Sequence, residues 1–300
     1  MKEPIHAYMK VGIIHFMAFP ETIRGEGPIV ETVKKIAEDE FFTAIEITWI
    51  KDPQVREEVK KILRVSKMTV AYGAQPAVLF TPLNPNSLDE EERKEAVRVL
   101  KEQIDMAHEM GAKRMAFLSG KDPGDEEREA AFEALVKTVQ ELCDYAATKG
   151  MGITLETFDR DVDKKALIGP SEYAARFAKA VNRANFGLMV DLSHMPLLKE
   201  TPYESVWAVK DYLVHAHIGN CVLDPNHPAY GDQHPRFGIE GGENDVEEVA
   251  EFLDALLEIG FLNPEDPPIV SFEVKPMEGE DPELVIANAK RTLIEAWALV

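Results

Sequence analysis

The chain has 300 residues, a formal net charge of −21 and a hydrophobic fraction of 45%. That length and apolar content suit one large α/β domain with a sizeable core. The acidic surface, with no basic cluster to offset it, argues against a nucleic-acid partner, whose binding rests on Lys and Arg neutralising phosphates.

Eight short β-rich segments alternate with amphipathic, charge-rich ones. In chain order the predicted strands begin at Val11 (VGIIHFMA), Thr43 (TAIEIT), Met68 (MTVAYGA) and Arg114 (RMAFLS). They continue at Gly152 (GITLETF), Phe186 (FGLMVDL), Tyr212 (YLVHAHI) and Pro268 (PIVSFEV). EEERKEAVRVLKEQIDMAHEM and DEEREAAFEALVKTVQELCDYAATK read as long helices, stopped at Met110-Gly111 and Lys149-Gly150. Asn244-Asp245 and Asp281-Pro282 open two more. Strands alternating with helices imply parallel βαβ units, and eight of them in this length imply a closed (β/α)8 TIM barrel, one domain over residues 1–300.

The N-terminal apolar run lacks a small-residue cleavage site and reads as the first strand rather than a signal peptide. No stretch approaches the roughly 20 apolar residues of a membrane span. Cys143 and Cys221 fall on a helical stretch and just after a strand, with no obvious pairing, so a reduced, cytoplasmic compartment is expected. The longest irregular stretch, 219–244, follows strand seven. Long loops in compact domains are usually functional, and this one lies on the face where barrel active sites form.

Four successive strands each deliver an ionisable residue near the carboxyl end: Glu156, Asp191, His217 and Glu273. Side chains alternate with period two, so each shares a face with its neighbour two residues back, while Leu155, Val190, Ala216 and Phe272 suit the helix-facing side. All four therefore point into the barrel mouth. Three carboxylates cannot all ionise side by side without a cation. With one imidazole they form a mixed O/N set for one divalent ion, Mn²⁺ or Mg²⁺ by carboxylate excess, with Co²⁺ and Zn²⁺ also compatible. Taken singly, Glu156 or Glu273 reads as a solvated strand-end residue, Asp191 as a helix cap, and His217 as a core histidine. It is their joint placement that argues for the metal.

Further candidates surround this set. His194 leaves strand six and could reach a substrate oxygen, bind metal or sit in a surface loop. Glu46, at the end of strand two, could bond a substrate hydroxyl or a neighbouring strand's polar group. His15 belongs to pocket or core, Trp49 and Phe158 to a pocket wall or plain packing, and Lys275 to a substrate contact or to a pair with Glu273.

In this order and spacing, LETFD, VDLSHMP, HAHIGN and SFEVKP resemble the xylose-isomerase-like barrel superfamily of ketose epimerases, sugar isomerases, inosose dehydratases and endonuclease-IV-type nucleases. The resemblance implies that Glu156, Asp191, His217 and Glu273 bind Mn²⁺ or a similar ion. It also implies that Glu156 and Glu273 exchange a proton at the carbon next to the substrate carbonyl, through an enediolate, with His194 touching substrate oxygens. The arginine that epimerases carry a few residues after the strand-seven histidine is missing; Arg236 stands in the long loop instead. Asp232 and His234 resemble the Asp-x-His pattern that the nuclease branch uses for an additional zinc. The histidines that branch carries after strands three and four are absent here, where the chain reads YGAQPAV and FLSGKDPG.

The leading expectation is a metal-dependent isomerase or epimerase of a small, non-phosphorylated sugar. The rival is a lyase of the inosose-dehydratase or C-glycoside-deglycosidase type, with His227, Tyr230, His234 and Arg236 receiving the leaving group and a partner subunit or homo-oligomer in play. A nuclease and a non-catalytic sugar binder complete the alternatives.

Overall fold

A computed structural model describes residues 3–300. Eight parallel strands run in the ring order β1-β8-β7-β6-β5-β4-β3-β2. They are β1 (Lys10–Ile13), β2 (Ala44–Ile47), β3 (Thr69–Gly73), β4 (Arg114–Leu118), β5 (Gly152–Glu156), β6 (Phe186–Asp191), β7 (Leu213–Gly219) and β8 (Ile269–Glu273). Between β1 and β2 there is no ladder; Thr43 N bonds Val11 O at 2.9 Å, and a lone bridge joins Ile14 and Glu46. The result is a nearly closed (β/α)8 barrel.

Alternation along each strand sorts the core. Leu155, Val190, Ala216 and Phe272 are at most 1% exposed and belong to one hydrophobic core with residues of the surrounding helices. Burying such a leucine or phenylalanine contributes about 1.5–3 kcal/mol. The opposite parity of the same strands faces the barrel interior.

The helices start and stop where the chain supplies the chemistry. Asp89 accepts bonds from the backbone N–H groups of Glu91 and Glu92 at the head of helix Glu90–Glu109, which stops at Gly111 with φ of 88°. Asp245 and Glu248 form a capping box on helix Val246–Glu258, and Asp281 caps helix Pro282–Leu299. Helix Arg128–Ala147 is followed by Gly150 with φ of 67°.

One predicted strand is shorter than its apolar run. The segment VGIIHFMA does not stay extended: β1 stops at Ile13, and His15–Ala18 form a turn of helix. The ladder to β8 ends with Ile13 opposite Phe272 and a bond from Ile14 N to Phe272 O. Beyond it the backbone turns on itself, Ala18 N bonding Ile14 O. His15 is therefore a helical residue, not a strand residue. Cys143 and Cys221 are buried free thiols. Among the described residues no helix is long and apolar enough to cross a membrane.

Candidate active site

Glu156, Asp191 and Glu273 are the last residues of β5, β6 and β8, and His217 lies two residues before the end of β7. The parallel registers set Asp191 beside His217 and Gly219 beside Glu273. The four side chains each offer a ligand atom, and these atoms all lie within 4.8 Å of one another. Nδ1 of His217 is 2.9 Å from Glu273 Oε2, 3.3 Å from Glu156 Oε1 and 3.7 Å from Asp191 Oδ2.

The other oxygens of two of these carboxylates are held by the scaffold. Gln75 Nε2 donates to Glu156 Oε2 at 2.7 Å, and Ser193 N donates to Asp191 Oδ1 at 2.6 Å. What remains, Glu156 Oε1, Asp191 Oδ2 and His217 Nδ1, is buried with no hydrogen-bond partner. Unsatisfied buried polar atoms are rare because each carries a desolvation penalty. Three that converge on one point with Glu273 fit a divalent cation, and oxygen with one imidazole nitrogen is a donor set such ions accept.

The charges respond to this crowding. Burial, reinforced by Glu156, pushes the Glu273 carboxyl up to about 7. Burial also works against ionisation of Asp191, but His194, His217 and His234 more than offset it and hold Asp191 below the usual carboxylate range. His217 is held well above the ordinary histidine value: burial opposes its charge, and Glu46 with the three carboxylates overrides that opposition.

A second cluster backs the first. Glu46 Oε1 is 2.6 Å from His215 Nε2 and 3.2 Å from His217 Nε2. Parity along β7 puts both imidazoles on the inner face, and Glu46 sits between them.

The third cluster comes from the long loop. Asn220 and Asn244 fasten its ends: Asn220 Oδ1 accepts from Asn244 N, and Asn244 Nδ2 donates to Leu192 O and Gly219 O. The loop then carries Asp232 and His234 back over the barrel mouth, His234 in a left-handed conformation with φ of 49°. His194, Asp232 and His234 offer ligand atoms that all lie within 4.8 Å of one another. His194 Nδ1 faces Thr157 O at 2.7 Å, while its Nε2 is 3.0 Å from Asp232 Oδ1. Lys164 Nζ lies 2.9 Å from Asp232 Oδ2. His194 Nε2 and both Asp232 oxygens nonetheless lack an aligned hydrogen bond.

A cavity of about 340 Å³ opens beside these clusters. Glu46, Asp163, Lys164, Asp232, His234, Glu273 and Lys275 line it together with Phe16, Met17, Leu79, Phe80 and Phe158. Lys275 Nζ donates to Gln233 Oε1 at 2.7 Å rather than pairing with Glu273. Burial lowers its pKa from the ordinary lysine value. Four predicted contacts lie outside the lining: His194, which belongs to the third cluster, and three more. His15 is buried against Thr32 Oγ1 at 2.7 Å, and burial pushes its pKa down to about 3. Trp49 Nε1 donates to Ile23 O at 2.9 Å. Arg236 Nε donates to Glu280 Oε1 at 2.9 Å, so the guanidinium is engaged in a loop-to-loop pair. Gln75 and Lys164 escape the sequence reading. Gln75 follows β3, where a histidine was the residue of interest, and Lys164 lies among loop charges with no periodic pattern to single it out.

The family model described as xylose isomerase-like TIM barrel matches residues 33–295. An L-ribulose 3-epimerase of Methylomonas sp. (strain DH-1) is 33% identical over 165 residues, which span 55% of this chain and 49% of that protein. The chain thus aligns with about half the length of that curated relative. A solved IOLI protein with a bound zinc atom superposes with a TM-score of 0.75 at 19% identity, over 97% of this chain and 99% of that one. A D-tagatose 3-epimerase-like protein gives 0.72 at 20% identity, over 97% and 100%. Ring topology, strand-end residues and the family match agree: this chain belongs to the xylose isomerase-like TIM barrel family.

Proposed function

We propose that the chain is a divalent-metal-dependent isomerase or epimerase of a small sugar. The observation that carries this reading is the pair of buried glutamates, Glu156 and Glu273, reaching the same imidazole nitrogen from β5 and β8 at 3.3 and 2.9 Å. A simple binding site has no need of both. The Methylomonas L-ribulose 3-epimerase and the zinc-bearing IOLI structure support it.

Glu156, Asp191, His217 and Glu273 would hold Mn²⁺ or a similar ion, which supplies a Lewis acid for a carbonyl and its neighbouring hydroxyl. One glutamate removes the proton next to the carbonyl to give an enediolate, and the other returns a proton, from the opposite face in an epimerase. Lys164 and Lys275 meet Glu46, Asp163, Asp232 and Glu273 around the cavity. That acidic excess suits an uncharged polyol rather than a phosphate ester. Glu273→Gln is expected to keep the fold and abolish exchange of substrate hydrogen with solvent deuterium. Retained exchange rejects the role.

The unaligned polar atoms of His194 and Asp232 favour a second ion held by His194, Asp232 and His234. Elemental analysis of the wild type against Asp232→Asn tests it: two ions falling to one supports the site, and one ion in both removes it.

A further inference from the structure

We infer that the opposite end of the barrel carries a binding site for a small, multiply charged oxyanion, built around Arg114. A cavity of about 600 Å³ opens among the first residues of five strands, Lys10 of β1, Thr69 of β3, Arg114 of β4, Leu213 of β7 and Ile269 of β8. It therefore opens at the amino ends of the strands and reaches inward as far as His215, the partner of Glu46, while none of the glutamate cluster lines it. Four cationic side chains line it, Lys10, Lys113, Arg114 and Lys210, against one carboxylate, Asp266. This is a local reversal of sign in a chain of net charge −21.

Arg114 makes the cavity more than a patch of surface lysines. Its Nε donates to Thr154 Oγ1 at 2.9 Å, and its Nη2 donates to Ile153 O at 2.7 Å and Asn185 O at 3.0 Å. All three acceptors are neutral. Among the described residues no carboxylate lies within 4.0 Å of this guanidinium or of the three lysines. A largely buried charge without a counter-charge is unfavourable unless something supplies one. The three bonds fix the guanidinium plane, and Nη1, packed against Gly152, makes no hydrogen bond among the described residues. A planar fork lining one cavity with Lys10, Lys113 and Lys210 matches the oxygens of phosphate or of a polycarboxylate. Lys210 is itself steadied, its Nζ resting 4.3 Å from the Trp207 ring centre.

Inorganic phosphate and citrate, each titrated calorimetrically into the full chain at constant ionic strength with chloride as reference, test the site. The expected result is saturable binding of one anion per chain that chloride does not reproduce. The relative affinities of the two probes say whether phosphate or polycarboxylate chemistry is preferred. Replacing the lysines together (K10Q, K113Q and K210Q) is expected to weaken binding at least tenfold, and Arg114→Gln to abolish it. Arg114 also caps barrel carbonyls, so the lysine variant keeps the test open if Arg114→Gln does not fold. Two results overturn the proposal: phosphate and citrate binding no better than chloride, or binding that persists undiminished in the lysine variant and so resides elsewhere, such as the glutamate cluster.

Discussion

Oε1 of Glu46 lies 3.2 Å from Nε2 of His217, while Nδ1 of the same ring is the nitrogen that meets the three carboxylates. A carboxylate behind an imidazole fixes the tautomer with the proton on Nε2 and leaves Nδ1 as the ligand. His215 presses on the same oxygen at 2.6 Å and limits its freedom. Removing such a partner typically weakens metal binding about 10–100-fold. Glu46→Ala is expected to do so with little change in the circular dichroism of the metal-free chain, and Glu46→Gln, which keeps an acceptor, to recover part of the loss. Calorimetric titration with Mn²⁺ and Zn²⁺ checks this; equal affinity in wild type and Glu46→Ala would remove Glu46 from that role.

The pH dependence follows from Glu273 and His217. Glu273 is raised from 4.5 to about 7, and His217 is raised well above 6.5. Without an ion, both favour the protonated native state, which binds more protons than the unfolded chain in this window. Their stabilisation is complete below the unfolded values and is lost as pH climbs through the native ones. For Glu273 the loss between pH 4.5 and 7 is about 3 kcal/mol at most. Asp191, Asp232 and Glu46, held below their ordinary values, act in the opposite sense but at more acidic pH. A ligand must shed its proton to bind a cation, so metal affinity is expected to rise with pH across neutrality with net proton release. Titrations in two buffers of different ionisation heat measure that release directly. No release would contradict the raised Glu273 value.

Gly219 closes β7 where the backbone has no room to spare. A Cβ built there would lie 2.8 Å from Glu273 O, 3.2 Å from His234 Nδ1 and 3.2 Å from Ser193 Cβ. The carbonyl belongs to the backbone and cannot swing aside, so Gly219→Ala is expected to displace Glu273. Overpacking of this kind costs about 1–3 kcal/mol. Metal affinity and thermal stability are expected to fall together, and an unchanged affinity would show that the β7–β8 seam absorbs the methyl group.

Phe272, 1% exposed, meets Phe41 and Phe42 at ring separations of 6.5 and 6.2 Å behind Glu273. Phe272→Ala is expected to lower stability by about 3–5 kcal/mol, read from urea unfolding of the full chain. A loss below 1 kcal/mol would mean that the outer layer collapses into the void.

The barrel and the placement of its four strand-end residues are legible in the sequence because one rule governs both: period-two alternation puts Leu155 outside and Glu156 inside. That rule stops where a strand stops. His15 follows an unbroken apolar run, yet β8 offers β1 no ladder past Phe272, a limit set by another strand. For Glu46 parity shows the face it points to, leaving a substrate hydroxyl and another strand's polar group both open, and not which imidazoles stand opposite. Gln75 opens a short helix, Gln75–Leu79, directly after β3, while Lys164 and Arg236 are placed by loops, whose paths depend on distant anchors such as Asn220 and Asn244. Loop residues carry no periodic signature.

The ring of strands has one unlaced edge. β1 and β2 share a lone bridge at Glu46 and no ladder, whereas β4, β5 and β6 are joined by continuous ladders. If the barrel breathes, it does so along this edge first. Opening it pulls Glu46 away from His217. A cation gripping His217 would then work as a clasp, and the amides of residues 11–14 and 43–47 should gain more protection from hydrogen exchange on loading than any stretch of β4 or β5.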